Sequence, residues 1–73
     1  MSKATPELTK IILDELATIR KGAPFGIEDI RVFASYDKYN LDNVSGATIR
    51  AILSPYVKMV GKNVLGEGVW EKV

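Results

Sequence analysis

The stretch that decides the fold lies at residues 44–53 and reads Val-Ser-Gly-Ala-Thr-Ile-Arg-Ala-Ile-Leu. Ser45 has the short polar side chain that favours a helix N-cap, and the residues from Ala47 to Leu53 propagate a helix well. Pro55 lacks the amide hydrogen that a continuing helix needs, so the helix ends or kinks close to it. The stretch therefore predicts a short helix over residues 45–54.

A longer helix is predicted upstream, from Thr5 to Lys21. Thr5 is a suitable N-cap, and Pro6 suits the first helical position. Arg20, Lys21 and Gly22 supply a basic last turn followed by a stop signal. Apolar residues recur between these ends at the three- and four-residue spacings of a helical stripe, and they are Leu8, Ile11, Ile12, Leu16 and Ile19.

A second helix is predicted to begin at Ile27 and to fade between Ser35 and Lys38. Its apolar face consists of Ile27, Ile30, Phe33 and Ala34. The connector before it, residues 23–26, reads Ala-Pro-Phe-Gly and is too short and too punctuated for a helix. Phe25 in this connector is a candidate anchor to the core.

Two β-prone runs follow the helix over residues 45–54 and predict a hairpin. The runs are Tyr56–Val60 and Val69–Val73. Gly66 and Glu67 are predicted to be the two central residues of a tight turn between the strands. Trp70 is expected to pack the hairpin onto the helices, so the chain is predicted to contain three helices and then a hairpin.

Length and composition indicate one small globular domain over residues 1–73. Of the 73 residues, 47% are hydrophobic and 26% are charged, and the mean hydropathy is +0.04. The absence of Cys and His excludes disulfides, thiolate nucleophiles, Cys–His zinc sites and imidazole catalysis. No apolar run approaches the roughly 20 residues that cross a bilayer. We therefore expect an intracellular protein that is not an enzyme, uses no cofactor and has no membrane partner.

The element order and the sequence around Ser45 resemble those of winged helix-turn-helix domains. The matching residues are Val44, Ser45, Ala47, Thr48, Ile49, Arg50 and Leu53. The resemblance implies an α+β fold, mainly α, with three helices and a C-terminal β-hairpin wing. The chain departs from the family between Ile27 and Val44, where it is longer than the usual compact helix-turn-helix.

The resemblance implies that the helix over residues 45–54 is a recognition helix that enters the major groove of double-stranded DNA. The expected DNA-binding residues are Ser45, Gly46, Thr48, Arg50, Lys58 and Lys62. Arg50 and Thr48 are expected to face bases, Ser45 and Gly46 to lie near the backbone, and the two lysines to contact phosphates. Residues on the other side of this helix are expected to anchor it in the core, and these are Val44, Ile49 and Leu53.

Charge is distributed unevenly along the chain, although the net charge is only +1. Residues 26–44 carry two cations against four carboxylates, a net −2, and residues 45–73 carry four cations against two carboxylates, a net +2. No acidic residue lies between Asn43 and Gly66. Each neutralised phosphate releases counterions, so this distribution favours a basic recognition helix and wing.

Other uses of the same residues stay open. Arg50 suits an ordinary exposed surface, and a helical Thr48 can bond its own backbone. Tyr36, Tyr39 and Tyr56 are candidates for stacking on RNA bases, although the tyrosines of a small domain usually pack in the core. The adjacent carboxylates, Asp14 with Glu15 and Glu28 with Asp29, diverge on a helix and are expected at the surface rather than in a catalytic site.

The expected function is double-stranded DNA binding by a small transcriptional regulator. The alternative is a winged-helix protein-interaction module of a larger nucleic-acid-processing assembly, because fold alone does not fix function. A homodimer through the helix over residues 5–21 is also expected, because Ile12 and Leu13 widen its apolar stripe.

Overall fold

The computed structural model describes residues 5–73, and residues 1–4 of the predicted domain lie outside the described residues. The elements are α1 (Pro6–Ala17), α2 (Ile27–Tyr36), α3 (Gly46–Leu53), a 3-10 turn (Ser54–Tyr56), β1 (Val57–Lys62) and β2 (Gly68–Lys72). The two strands pair antiparallel. The predicted α+β, mainly α, layout of three helices and a C-terminal hairpin is confirmed.

Helix α1 begins as predicted but ends four residues earlier. Its N-cap Thr5 accepts a hydrogen bond at Oγ1 from the Leu8 amide, 3.1 Å away. The helix ends at Ala17 instead of Lys21, because the Thr18 hydroxyl donates to the Glu15 carbonyl at 2.7 Å and the chain turns there. The turn brings Ile19 into the core, so this residue belongs to the core although not to the helix.

The connector before α2 is fixed to the hairpin, as the position of Phe25 predicts. Phe25 is buried and exchanges two backbone hydrogen bonds with Trp70, of 2.9 and 2.8 Å. The next residue, Gly26, is the N-cap of α2, and its amide donates to Asp29 Oδ2 at 2.8 Å. Helix α2 then runs from Ile27 to Tyr36, which confirms both predicted ends. The connector therefore acts as a single-residue third strand beside β2.

The core lies where α1 packs against both α2 and α3, with the hairpin covering one end. Its buried residues are Ile12, Leu16, Ile19, Phe25, Ile30, Ala34, Leu41, Ile49, Ile52, Leu53 and Val57. Ile49 and Leu53 anchor α3 in this core as predicted, and Val44 packs against it while partly buried. Trp70 is also partly buried against the core, which confirms its expected packing role.

Glu15 is the one described polar residue in the core, which corrects its expected place at the surface. Only 3% of it is exposed, whereas its neighbour Asp14 is exposed and pairs with Lys10 at 2.7 Å. Burial is the main cause that raises the pKa of the Glu15 carboxyl from 4.5 to about 7, and the adjacent Asp37 contributes to this rise in the same direction. The core therefore contains a carboxyl group that favours its protonated form.

The loop of the hairpin differs from the predicted two-residue turn. Five residues, Asn63–Glu67, separate the strands, and Gly66 adopts a left-handed φ of +82°. Asn63 Oδ1 accepts hydrogen bonds from the amides of Leu65 and Glu67 at 2.9 and 3.0 Å. The Asn63 side chain therefore stabilises the reversal of the chain by bonding two amides of the loop, where a tight turn at Gly66 was expected to make that reversal. The prediction of Gly66 and Glu67 as central turn residues was therefore wrong.

Candidate nucleic-acid interface

The amino terminus of α3 is capped by Ser45, as predicted. Ser45 Oγ accepts a hydrogen bond from the Thr48 amide at 3.1 Å and lies 2.9 Å from Thr48 Oγ1. Ser45 is exposed and Thr48 is half-buried. The Thr48 hydroxyl is thus hydrogen-bonded to the N-cap residue Ser45. A hydrogen bond from this hydroxyl to a base would have to replace its bond to Ser45.

Gly46 lies against α2 rather than on the outermost surface of α3. A Cβ built on Gly46 would lie 3.8 Å from Ile27 Cγ2 and 3.9 Å from Arg31 Nη2, which are ordinary contact distances. The position therefore has room for a small side chain. Arg31 itself is held by Glu28 at 3.1 Å and by a short hydrogen bond to the Leu41 carbonyl, so it is not available to a ligand.

Arg50 is the cation that α3 presents to solvent. It is exposed, while Ile49 beside it is fully buried. Within residues 5–73 its guanidinium has no ion-pair partner. The Arg50 side chain is thus accessible, and its buried neighbour Ile49 fixes the side of α3 on which it lies.

The two lysines of β1, Lys58 and Lys62, are exposed but do not lie side by side. Lys58 is opposite Glu71 and Lys62 is opposite Gly68, positions three residues apart on β2. The ladder skips Val60, which forms a β-bulge between Met59 and Gly61. Successive side chains on a strand point to opposite faces, so positions three apart lie on opposite faces of the hairpin. The structure therefore separates two lysines that were expected to act together.

Lys62 lies on the face of the hairpin that covers the helices. The same face carries buried Val57, together with Met59 and Trp70. Lys58 lies on the opposite face, across from Glu71. Of the two lysines, only Lys62 is therefore on the same side of the hairpin as α3.

A cleft of about 630 Å³ lies between α3, the start of α2 and the hairpin. Its lining includes the apolar residues Phe25, Ile27, Met59 and Trp70, which we call its floor. The lining also includes one cation and three exposed carboxylates, which we call its mouth, and these are Arg50, Glu28, Asp29 and Glu67. All three carboxylates form internal contacts: Glu28 pairs with Arg31, Asp29 accepts from the Gly26 amide, and Glu67 accepts from Asn63 Nδ2 at 3.1 Å. The cleft thus combines an apolar set of lining residues with an acidic one.

Sequence reasoning missed the exposed apolar residues of the hairpin. Val64 and Leu65, in the loop, are 102% and 78% exposed. Tyr56 was expected in the core and is 47% exposed, and Tyr36 and Tyr39 are exposed as well. The sequence did contain a sign of the exposed pair. Val64 and Leu65 lie between the turn-forming residues Asn63 and Gly66, at loop positions that usually carry polar residues.

The apolar stripe of α1, on which the expected homodimer depends, packs against the core of the same domain. Ile12 is fully buried, and Leu13 is partly buried against the core. These two residues therefore give little exposed surface to a second subunit.

No group of three or more His, Cys, Asp or Glu side chains among residues 5–73 is arranged to hold a metal ion. In the same part of the chain, none of the helices combines the length and the apolar character needed to cross a membrane. Comparison with known proteins finds no matching protein family and no significantly similar curated protein or solved structure.

Proposed function

We propose that this chain binds double-stranded DNA as a small non-enzymatic transcriptional regulator, with α3 in the major groove. The observation that carries the proposal is the basic, carboxylate-free segment from Asn43 to Gly66, which spans α3 and β1. Its cations, Arg50, Lys58 and Lys62, are all exposed, and none has an ion-pair partner among residues 5–73. Exposed cations without internal partners are available to phosphates and base edges.

The core supports the proposed docking because it fixes the orientation of α3. Ile49 and Leu53 bury one side of the helix, and Ser45 caps its amino terminus. Arg50 is then held on the accessible side. An Arg that reaches a guanine edge forms two hydrogen bonds, which supplies base discrimination of about 1–3 kcal/mol.

The hairpin contributes through one lysine in this proposal. Lys62 shares the face of the hairpin that covers the helices, so it is assigned the phosphate contact beside α3. The carboxylates Glu28, Asp29 and Glu67 repel phosphates from the cleft itself. The backbone is therefore expected to pass outside the cleft, along α3 and Lys62.

The test is a fluorescence anisotropy titration with mixed-sequence duplex DNA at several salt concentrations, followed by selection of a preferred site. We expect the affinity for the duplex to fall steeply as salt rises, because bound phosphates release counterions. On the selected site, Arg50→Ala is expected to weaken binding by about 1–3 kcal/mol. Arg20→Ala removes an exposed cation in the turn after α1 and serves as the matched control.

Absence of duplex binding at low salt would overturn the proposal, and equal affinities of wild type and Arg50→Ala would overturn the assignment of α3.

The second candidate function is a protein-interaction module. The exposed aliphatic pair Val64 and Leu65 favours it, because apolar groups gain free energy on burial in a protein interface. Binding that persists at high salt is the outcome expected of that module.

A further inference from the structure

The tip of the hairpin carries two aliphatic side chains that the proposed DNA interface does not use. Val64 and Leu65 are largely or fully exposed, and we refer to them as the apolar knob. The loop that holds them is fixed by Asn63, whose side chain and backbone together bond Leu65, Gly66 and Glu67. A loop that is already ordered loses little conformational entropy when a partner covers it. The apolar knob is therefore preorganised for burial.

The cleft has the size and the floor to receive such a knob. Its volume of about 630 Å³ lies within the range of protein binding pockets, about 300–1,000 Å³. Its floor offers the rings of Phe25 and Trp70 and the thioether of Met59. Met is a flexible side chain that adapts to irregular apolar surfaces. Aliphatic side chains are thus suitable occupants of this floor.

The charges around the knob and the cleft are complementary. The mouth of the cleft carries Glu28, Asp29 and Glu67 against Arg50, and because Arg31 pairs with Glu28 the net charge of this group is −1. Lys62 stands two residues before the knob and forms no ion pair with any described residue. An occupant of this cleft needs an aliphatic tip beside a cation, and residues 62–65 of this chain have that pattern.

We propose that the cleft is occupied by the apolar knob of a second copy of this chain, in a reciprocal dimer. Asn63, Gly66 and Glu67 line the cleft, so the knob and the cleft adjoin on one molecule. A twofold axis beside the loop can then place each knob in the partner's cleft, with Lys62 near the partner's carboxylates. Such an interface is self-complementary and closed. It differs from a dimer through α1, and its test does not depend on DNA binding, although in this dimer Lys62 meets the partner's carboxylates in place of a phosphate.

The experiment is sedimentation velocity without nucleic acid, from micromolar to millimolar protein concentration. We expect wild type to dimerise and the double variant Val64→Ser/Leu65→Ser to raise the dimer dissociation constant at least about tenfold. Val32→Ser is the matched control, because Val32 is an exposed valine of α2 outside the cleft and is expected to leave the dimer intact. Circular dichroism checks that each variant keeps its fold.

An isotope-filtered NOE experiment on a mixture of labelled and unlabelled chains locates the interface. Contacts from the Leu65 methyls of one copy to the Trp70 indole of the other are the expected result. A wild type that stays monomeric at millimolar concentration overturns the proposal. Equal dimerisation of wild type and the double variant also overturns it, because the interface then lies elsewhere.

Discussion

Lys58 and Lys62 lie on opposite faces of the hairpin although they are four positions apart in β1. In a regular strand this spacing would place both on one face, and the bulge at Val60 changes that arrangement. The two lysines are equal in charge and both exposed, so each serves as the control for the other.

The two lysines should therefore differ in their effect on DNA binding. Lys62→Ala is expected to reduce the slope of log affinity against log salt by about one, because one phosphate contact is lost. Lys58→Ala is expected to leave the slope close to that of wild type. Anisotropy titrations over a salt series measure both slopes. The reverse result, with Lys58→Ala lowering the slope more, would place the duplex on the other face of the hairpin.

Glu15 should make stability depend on pH. Its pKa is raised from 4.5 to about 7 in the folded chain, so folding favours the protonated form. The resulting stabilisation is fully present below pH 4.5 and is lost as pH rises towards and past about 7. Glu15→Gln is expected to remove this dependence and to raise the free energy of unfolding at pH 8 by on the order of 1–3 kcal/mol.

Urea denaturation at pH 5 and pH 8 measures that effect. Asp14→Asn is the neighbouring control, because Asp14 is exposed and its pair with Lys10 lies at the surface. Exposed ion pairs contribute little, and the Asp14 charge is the smallest of the causes that raise the Glu15 pKa, so this variant should keep most of the pH dependence of wild type. The same dependence in Glu15→Gln would show that another group causes it.

Asn63 should contribute to the free energy of unfolding through its side-chain hydrogen bonds, although the residue is exposed. Its side chain accepts from two amides and donates to Glu67, and Asn63→Ala removes all three hydrogen bonds. We expect a loss of about 1 kcal/mol in the free energy of unfolding, together with faster hydrogen exchange at the Leu65 and Glu67 amides. Val64→Ala, one residue on, is expected to change stability by less than about 0.5 kcal/mol. Unchanged exchange at both amides in Asn63→Ala would contradict this role.

Two glycines of the hairpin should respond differently to alanine. Gly66 has a φ of +82°, whereas Gly61 is not in the left-handed region, and neither has an atom within 4 Å of a Cβ built on it. Gly66→Ala is therefore expected to cost about 1 kcal/mol of unfolding free energy through backbone strain alone. Gly61→Ala is expected to be neutral or slightly stabilising. Thermal unfolding of both variants checks the difference, and equal shifts would argue against the strain.

Local signals predicted most of the fold. Thr5 and Ser45 both cap helices as their side chains indicate, and Phe25 is buried as its place in the connector indicates. The end of α1 was misplaced because the hydrogen bond from Thr18 outweighed the basic last turn expected at Arg20 and Lys21.

The features that sequence reasoning missed depend on contacts between strands. The bulge at Val60 is defined only by the pairing of β1 with β2, and no local pattern marks it. The faces of Lys58 and Lys62 could not be assigned without that pairing. The acidic mouth of the cleft was hidden for the same reason, because Glu28 and Glu67 are distant in sequence.

The bulge at Val60 also has a consequence for solubility. β2 is flanked by β1 and by Phe25, but among residues 5–73 no strand pairs with the outer edge of β1. A flat, unpaired edge is a template on which further chains can add as strands and aggregate. Val60 interrupts that edge. Along β1, the positively charged Lys58 precedes the interruption and the positively charged Lys62 follows it. A chain without Val60 could keep every existing pair between the strands, yet it would offer a regular edge to its neighbours and aggregate more readily.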